Sequence, residues 1–196
     1  MKRICVFCGS SPGGRPEYVQ AARQLGEALV QRGLGLVYGG ARIGLMGSIA
    51  ETVLEKGGDV IGVMPQGLVE KEVALTELAD LRVVSTMHER KALMADLSDG
   101  FIALPGGLGT VEEFFEVVTW AQLGIHEKPC GLLNTAGYFD GLMTFLGHSV
   151  EEQFVEHCHL GMIQTADEAE ALLMKFESYR PPVADKARWA LGLADT

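Results

Sequence analysis

The sequence predicts a single-domain α/β fold: a doubly wound, Rossmann-like parallel sheet with helices on both faces. Three observations predict it. Short β-branched or apolar runs alternate with longer helical patterns along the 196 residues, the rhythm of successive βαβ units. The runs are near-continuously apolar, as strands are when both faces of a sheet are covered. Glycine, 25 residues in all, gathers in clusters directly after several runs, at the edge where an open parallel sheet receives its ligands. Right-handed crossovers then give the doubly wound arrangement.

Taken in order, the strand-like runs fall at 3–8, 35–38, 59–63, 81–84, 100–104 and 129–133. Helical patterns lie between them at 16–32, 44–57, 87–98, 109–124 and 138–147. A short strand at 161–163 precedes a last helix at 166–177. After Tyr179-Arg180-Pro181-Pro182 the composition becomes loop-like. Residues 1–180 are therefore expected to form the domain, and 181–196 a loosely attached tail or a partner-contacting arm. There is no internal repeat, low-complexity tract or linker that would divide the chain.

Composition narrows the class of ligand. Hydrophobic residues at 47% and charged residues at 21% are ordinary globular values. A formal net charge of −10 argues against a nucleic-acid polymer, whose binding rests on neutralisation of phosphates by Lys and Arg. A mononucleotide needs only a local cationic patch. No apolar run reaches membrane-spanning length, and the apolar stretch from Ile4 to Cys8 is too short for a signal-peptide core. The expected location is the cytoplasm, where four cysteines read as free thiols. Cys5 and Cys8 form a C-x-x-C, but residues three apart on a strand point to opposite faces, and no second such pair completes a zinc site. They are expected as two buried residues of a strand.

Three glycine clusters lie at the carboxyl ends of strands: Gly9-Ser10-Ser11, Gly39-Gly40 and Pro105-Gly106-Gly107-Leu108-Gly109-Thr110. Such loops turn backbone N–H groups toward an anion at a helix N-terminus, where the helix dipole also favours negative charge. None fits the phosphate loop of nucleoside triphosphatases or the dinucleotide fingerprint. A small phosphate ester is the expected ligand.

Two charged side chains stand out beside these loops. Thr86-x-x-Glu89 reads as a capping box opening a helix. Arg90 then falls on the same stripe as Leu93, Met94 and Leu97, facing the interior. A cation in a first turn opposes the dipole and needs an anionic partner, either a structural carboxylate or a ligand in the cleft. Glu113 has two readings as well. Thr110-x-x-Glu113 fits a second capping box, yet the carboxylate also stands directly after the glycine-rich loop. His88, His126, His148, His157 and His159 have no spacing that assembles a metal site, and no nucleophile triad is assignable. Neither a metal nor a cofactor is expected.

Residues 105–113, Pro-Gly-Gly-Leu-Gly-Thr-Val-Glu-Glu, resemble the P-G-G-x-G-T-x-x-E signature of the LONELY GUY family of cytokinin riboside 5′-monophosphate phosphoribohydrolases. The resemblance extends to Val6-Phe7-Cys8-Gly9-Ser10-Ser11, Tyr38-Gly39-Gly40, Gly44-Leu45-Met46-Gly47, Met87-His88-Glu89-Arg90-Lys91-Ala92 and Thr119-Trp120-Ala121-Gln122-Leu123-Gly124. It implies a homodimer that releases a free purine base and ribose 5-phosphate from AMP or an N6-modified AMP. It implies Arg90 and Glu113 as catalytic residues. Glu72, Lys91, Gly107, Leu108, Gly109, Thr110, Val111, Glu112 and Thr119 would then line the substrate, with Gly9, Ser10, Gly39 and Gly40 at the phosphate. Two rivals remain: a non-catalytic nucleotide-binding module, and a lysine decarboxylase carrying pyridoxal phosphate on a lysine such as Lys91, a label members of this family have often received.

Overall fold

The computed structural model describes residues 1–69, 75 and 78–182. Its centre is one seven-stranded sheet, parallel throughout, in the order β4-β3-β2-β1-β5-β6-β7. The strands are β1 (Arg3–Phe7), β2 (Gly35–Tyr38), β3 (Val60–Pro65), β4 (Asp80–Val84), β5 (Gly100–Ala103), β6 (Cys130–Leu133) and β7 (Ile163–Ala166). The order reverses between β1 and β5, whose register pairs Ile4 with Gly100 and Phe7 with Ala103. That reversal leaves a crevice at the carboxyl ends of these two strands.

Alternation along the strands divides the core into two layers. Ile4, Val6 and Cys8 face α1 (Pro16–Gln31), α2 (Gly44–Glu55) and α8 (Ala169–Ser178). Cys5 and Phe7 face the other way, onto α4 (Met87–Asp96), α5 (Leu108–Gln122) and α6 (Asp140–Glu151). Both cysteines are buried, on opposite faces as their spacing requires, and both are free thiols. Phe101 is fully buried and stacks on Phe7 with centroids 6.2 Å apart. Burial of a side chain of this size stabilises by about 1.5–3 kcal/mol.

The later elements depart from the expected bounds. The strand expected at 161–163 lies at Ile163–Ala166, and only its first residue is buried. An edge strand needs no continuous apolar run, so Gln164 and Thr165 left no sequence signal. The following helix starts at Ala169 after Glu168 in extended conformation. The helix expected from 138 begins at Asp140, because Asn134 first builds a 3-10 turn over Thr135–Gly137. The Asn134 Oδ1 accepts from the Phe139 N–H at 2.7 Å, and its Nδ2 donates to Asp140. Two single-turn helices, α3 (Gln66–Val69) and α7 (His157–Leu160), are too short to show periodicity. Among the described residues no helix is long and apolar enough to cross a membrane. Of the expected tail, residues 183–196 lie outside the described residues.

Candidate functional site

The two charged residues singled out in the sequence meet. Thr86 caps α4, its Oγ1 accepting from the Glu89 N–H at 3.1 Å. The Glu89 carboxylate reaches back past the cap to accept from the Ser85 N–H at 2.8 Å. With α4 started there, Arg90 lies on the inner stripe with Met94 and Ala95. Its Nε donates to the carbonyl of Val63 on β3 at 3.0 Å, and its Nη1 donates to the Glu113 carboxylate. The side chains are 9% and 14% exposed respectively, so this is a largely desolvated pair rather than a surface bridge. Val63 was invisible to sequence reasoning because its contribution is a backbone carbonyl.

The second capping box does not form. α5 begins at Leu108 with Gly107 as its cap, and Val111 already donates to the Gly107 carbonyl. Thr110 is therefore inside the first turn and buried, and Glu113 lies in the second turn, beyond the free N–H groups that a cap serves. What holds Glu113 is Arg90. Its negative charge also registers at the end of β1: burial first, and then Glu113, push the Cys8 thiol up.

The glycine clusters divide into two kinds. At the crevice, Gly9 donates to the Pro105 carbonyl at 3.1 Å, and Leu45 donates to the Gly9 carbonyl at 3.0 Å. Gly44, at φ +61°, lies so close that a Cβ there would sit 2.3 Å from the Ser10 carbonyl carbon. The first loop is thus pinned between the start of α2 and the Pro105–Gly107 segment. Together they line a cavity of about 310 Å³ with Tyr18 and Tyr138. Gly107, Leu108 and Gly109 are exposed at the α5 N-terminus, and Ser10 is exposed above β1. Gly39 and Gly40 are different. Both are buried, and a Cβ on Gly39 would fall 2.3 Å from the Arg90 Nη2 and 3.0 Å from the Met46 Sδ. The bare backbone at Gly39 makes room for the arginine.

Lys91 points to α5, its Nζ 2.7 Å from Glu112 and 3.0 Å from Glu116. Hydrogen bonding to Glu112 holds its pKa above the ordinary lysine value. A Schiff-base lysine needs the opposite, an amine readily deprotonated. Val111 is half-buried and Thr119 exposed further along α5. Glu72 lies outside the described residues. His126 bonds the Val117 carbonyl, and burial lowers its pKa. Glu156, Cys158 and His159 bring three possible ligand atoms within 4.8 Å of one another, a proximity that spacing alone did not suggest. The His159 Nδ1, however, stands 3.0 Å from the Gln122 side-chain amide, and none of the three belongs to the glycine loops.

Comparison with known proteins follows the same residues. A profile of the family described as "Possible lysine decarboxylase" matches residues 46–176. A probable cytokinin riboside 5′-monophosphate phosphoribohydrolase of Oryza sativa subsp. japonica, LOGL5, is 52% identical over 184 residues, 94% of this chain and 75% of that protein. The cytokinin riboside 5′-monophosphate phosphoribohydrolase LOG1 of Arabidopsis thaliana is 49% identical over 201 aligned positions, 100% of this chain and 94% of that protein. Among solved structures, the molybdenum cofactor carrier protein of Chlamydomonas reinhardtii shares the fold with a TM-score of 0.67 at 22% identity, over 91% of this chain and 99% of that one. The molybdenum cofactor binding protein of Rippkaea orientalis does so with 0.66 at 22% identity, over 91% of this chain and 97% of that one. At such identity the likeness concerns the fold alone.

Proposed function

This chain belongs to the LONELY GUY family of cytokinin riboside 5′-monophosphate phosphoribohydrolases, and from that membership we propose that it hydrolyses the N-glycosidic bond of a purine riboside 5′-monophosphate, releasing free base and ribose 5-phosphate. The observation that carries the reading is the largely buried Arg90–Glu113 pair, drawn from two motifs 23 residues apart and set behind the N-terminal turn of α5.

The chemistry uses each part. The N–H groups of the first turn of α5, with the Gly9-Ser10 loop across the crevice, supply donors and a positive dipole end for the 5′-phosphate. As the C1′–N bond breaks, its electron pair leaves with the base and positive charge develops on the ribose. The Glu113 carboxylate provides the fixed negative charge that stabilises this cation. A water oxygen then bonds to C1′, and the proton it gives up balances the departing base. Arg90, itself anchored on the Val63 carbonyl, holds Glu113 in place. Being anchored before substrate arrives, the pair needs little reorganisation during reaction.

A binding module without catalysis is the reading to be tested against this one, since the same fold includes proteins described as cofactor carriers. Loss of the capping role for Glu113 weighs toward the enzyme. The names carried by the relatives point to a cytokinin riboside 5′-monophosphate as substrate, with AMP as the simpler purine nucleotide to set beside it. The homodimer is part of the same proposal. It is supported by large apolar side chains exposed on the α5–α6 side: Leu123 at 54%, Ile125 at 65%, Phe145 at 63% and Phe154 at 81%.

Base release followed by chromatography from AMP, N6-isopentenyl-AMP and adenosine tests the whole reading. Both nucleotides are expected to yield free base, and adenosine to yield far less. Equal rates on adenosine would remove the phosphate from the mechanism. No base from either nucleotide would leave the binding module.

A further inference from the structure

We propose that Tyr138 is a positioning residue for the phosphate loop: its hydroxyl holds the Gly106–Gly107 peptide in the orientation that presents the Gly107 N–H to the ligand's phosphate. The proposal rests on the reading above, in which the Pro105–Thr110 loop receives that phosphate.

The Tyr138 hydroxyl donates to the Gly106 carbonyl at 2.6 Å. A trans peptide points its C=O and N–H in opposite directions. Fixing the Gly106 carbonyl toward Tyr138 therefore fixes the Gly107 N–H away from it. The need for such a lock comes from the loop's composition. Two successive glycines impose no side-chain limit on rotation of the peptide between them: a Cβ at Gly107 would meet nothing within 4 Å, although Gly106 itself is packed so closely that a Cβ there would sit 2.1 Å from the Thr110 Oγ1. A flipped peptide would present a carbonyl oxygen where the N–H had been, replacing attraction for a phosphate oxygen by repulsion.

The tyrosine is 42% exposed but braced on two sides. Its ring meets Phe139 edge-on with centroids 5.0 Å apart, and Tyr18 edge-on at 5.5 Å. Phe139 is 2% exposed, and its N–H is bound by the Asn134 side chain. Tyr18 lies beneath Gly13, where a Cβ would come within 2.7 Å of its ring. The aromatic pair thus connects the loop after β1 with the loop after β5 across the cavity that both line. Nothing in the local sequence marks Tyr138, which stands 32 residues beyond the glycine it holds.

Tyr138→Phe keeps the ring and its packing and removes only the donor. Its expected signature is a KM for AMP raised about tenfold, the worth of one hydrogen bond to a loop that contacts a charged group, with kcat within about twofold of the parent protein. The inhibition constants of ribose 5-phosphate and inorganic phosphate rise by the same factor, while that of free adenine does not move. Unchanged KM and phosphate inhibition in a well-folded variant overturn the proposal, as does a fall in kcat alone. Calorimetric binding of ribose 5-phosphate to both proteins reads the same lock without turnover. A parent protein that binds ribose 5-phosphate more tightly than Tyr138→Phe, yet releases no base from AMP, would sink the catalytic reading and keep this one.

Discussion

Arg90 and Glu113 neutralise each other in a place where neither has much water, and this sets what substitutions at either residue should do. Glu113→Gln keeps the shape of the side chain and its ability to accept from Arg90 but removes the anion. Neutralising one partner of a largely desolvated pair lowers stability, but Gln still accepts from Arg90, so the variant should fold, with a reduced melting temperature, and bind AMP. Its rate of base release should fall by roughly a hundredfold or more if the carboxylate stabilises a cationic transition state. Near-normal release, measured by chromatography, would return Glu113 to a structural role. Gly39 tests the arginine without touching it. A Cβ there would meet the Arg90 Nη2 and the Met46 Sδ, both at the ends of side chains that can shift, so the cost in stability should be modest. The guanidinium would nevertheless be displaced from Glu113 by a few tenths of an ångström or more. Gly39→Ala is therefore expected to lose turnover by about tenfold to a hundredfold with a change in melting temperature of only a few degrees. A variant as active as the parent would show that the position of Arg90 is unimportant.

At the scale of elements, α4 and α5 carry the site between them, so their start points and their mutual registration matter more than their length. α4 starts where the Thr86 hydroxyl takes the Glu89 N–H. Thr86→Ala should cost about 1 kcal/mol in denaturant unfolding and lower turnover as well, because Arg90 sits one turn inside that cap. Loss of stability with intact turnover would separate the cap from the site. Lys91 ties the same two helices through Glu112 and Glu116. Its pKa is raised in the fold, so its contribution is complete below the unfolded value of about 10.4 and is lost as pH climbs through the folded one. Lys91→Met should be less stable than the parent by under about 1 kcal/mol at neutral pH, since Glu112 is exposed to solvent. The difference should close once pH has passed the raised folded value. A gap that persisted at high pH would mean that packing of the lysine stem, not charge, makes the contribution.

For the molecule as a whole, the net charge of −10 opposes an anionic nucleotide at long range, so the proposed phosphate site at the α5 N-terminus and the glycine loops has to act locally. Phosphate affinity should then come from hydrogen bonds at short range. The exposed apolar side chains near the end of α5 and along α6 carry the expectation of a homodimer. Sedimentation or light scattering at micromolar concentration is expected to give twice the chain mass of 21.1 kDa. Phe145→Glu, which places a charge on one of these exposed apolar positions, should shift the population toward the monomer. A monomeric parent protein would refute the dimer.

The fold was legible in the sequence because its cause is local and repetitive. Apolar runs such as Gly35–Tyr38 and Gly100–Ala103 declare buried parallel strands, and the glycine clusters after β1 and β5 mark the carboxyl edge at which the sheet reverses. The signature at 105–113 also pointed to Glu113 and the loop before it as candidates. Sequence by itself could not say what Glu113 does, because Thr-x-x-Glu has the same spelling whether it caps a helix or follows one that started two residues earlier. The tertiary structure removed the cap by setting the start of α5 at Leu108, and it paired Glu113 with Arg90 from another helix. It likewise set the Arg90 guanidinium against Gly39, and it drew in the Val63 carbonyl and the Tyr138 hydroxyl, which no motif contains. The physical reason is common to all four. Hydrogen-bonded neighbours from separate elements are fixed by packing of the whole sheet, whereas periodicity and turn chemistry are written within a few residues of chain.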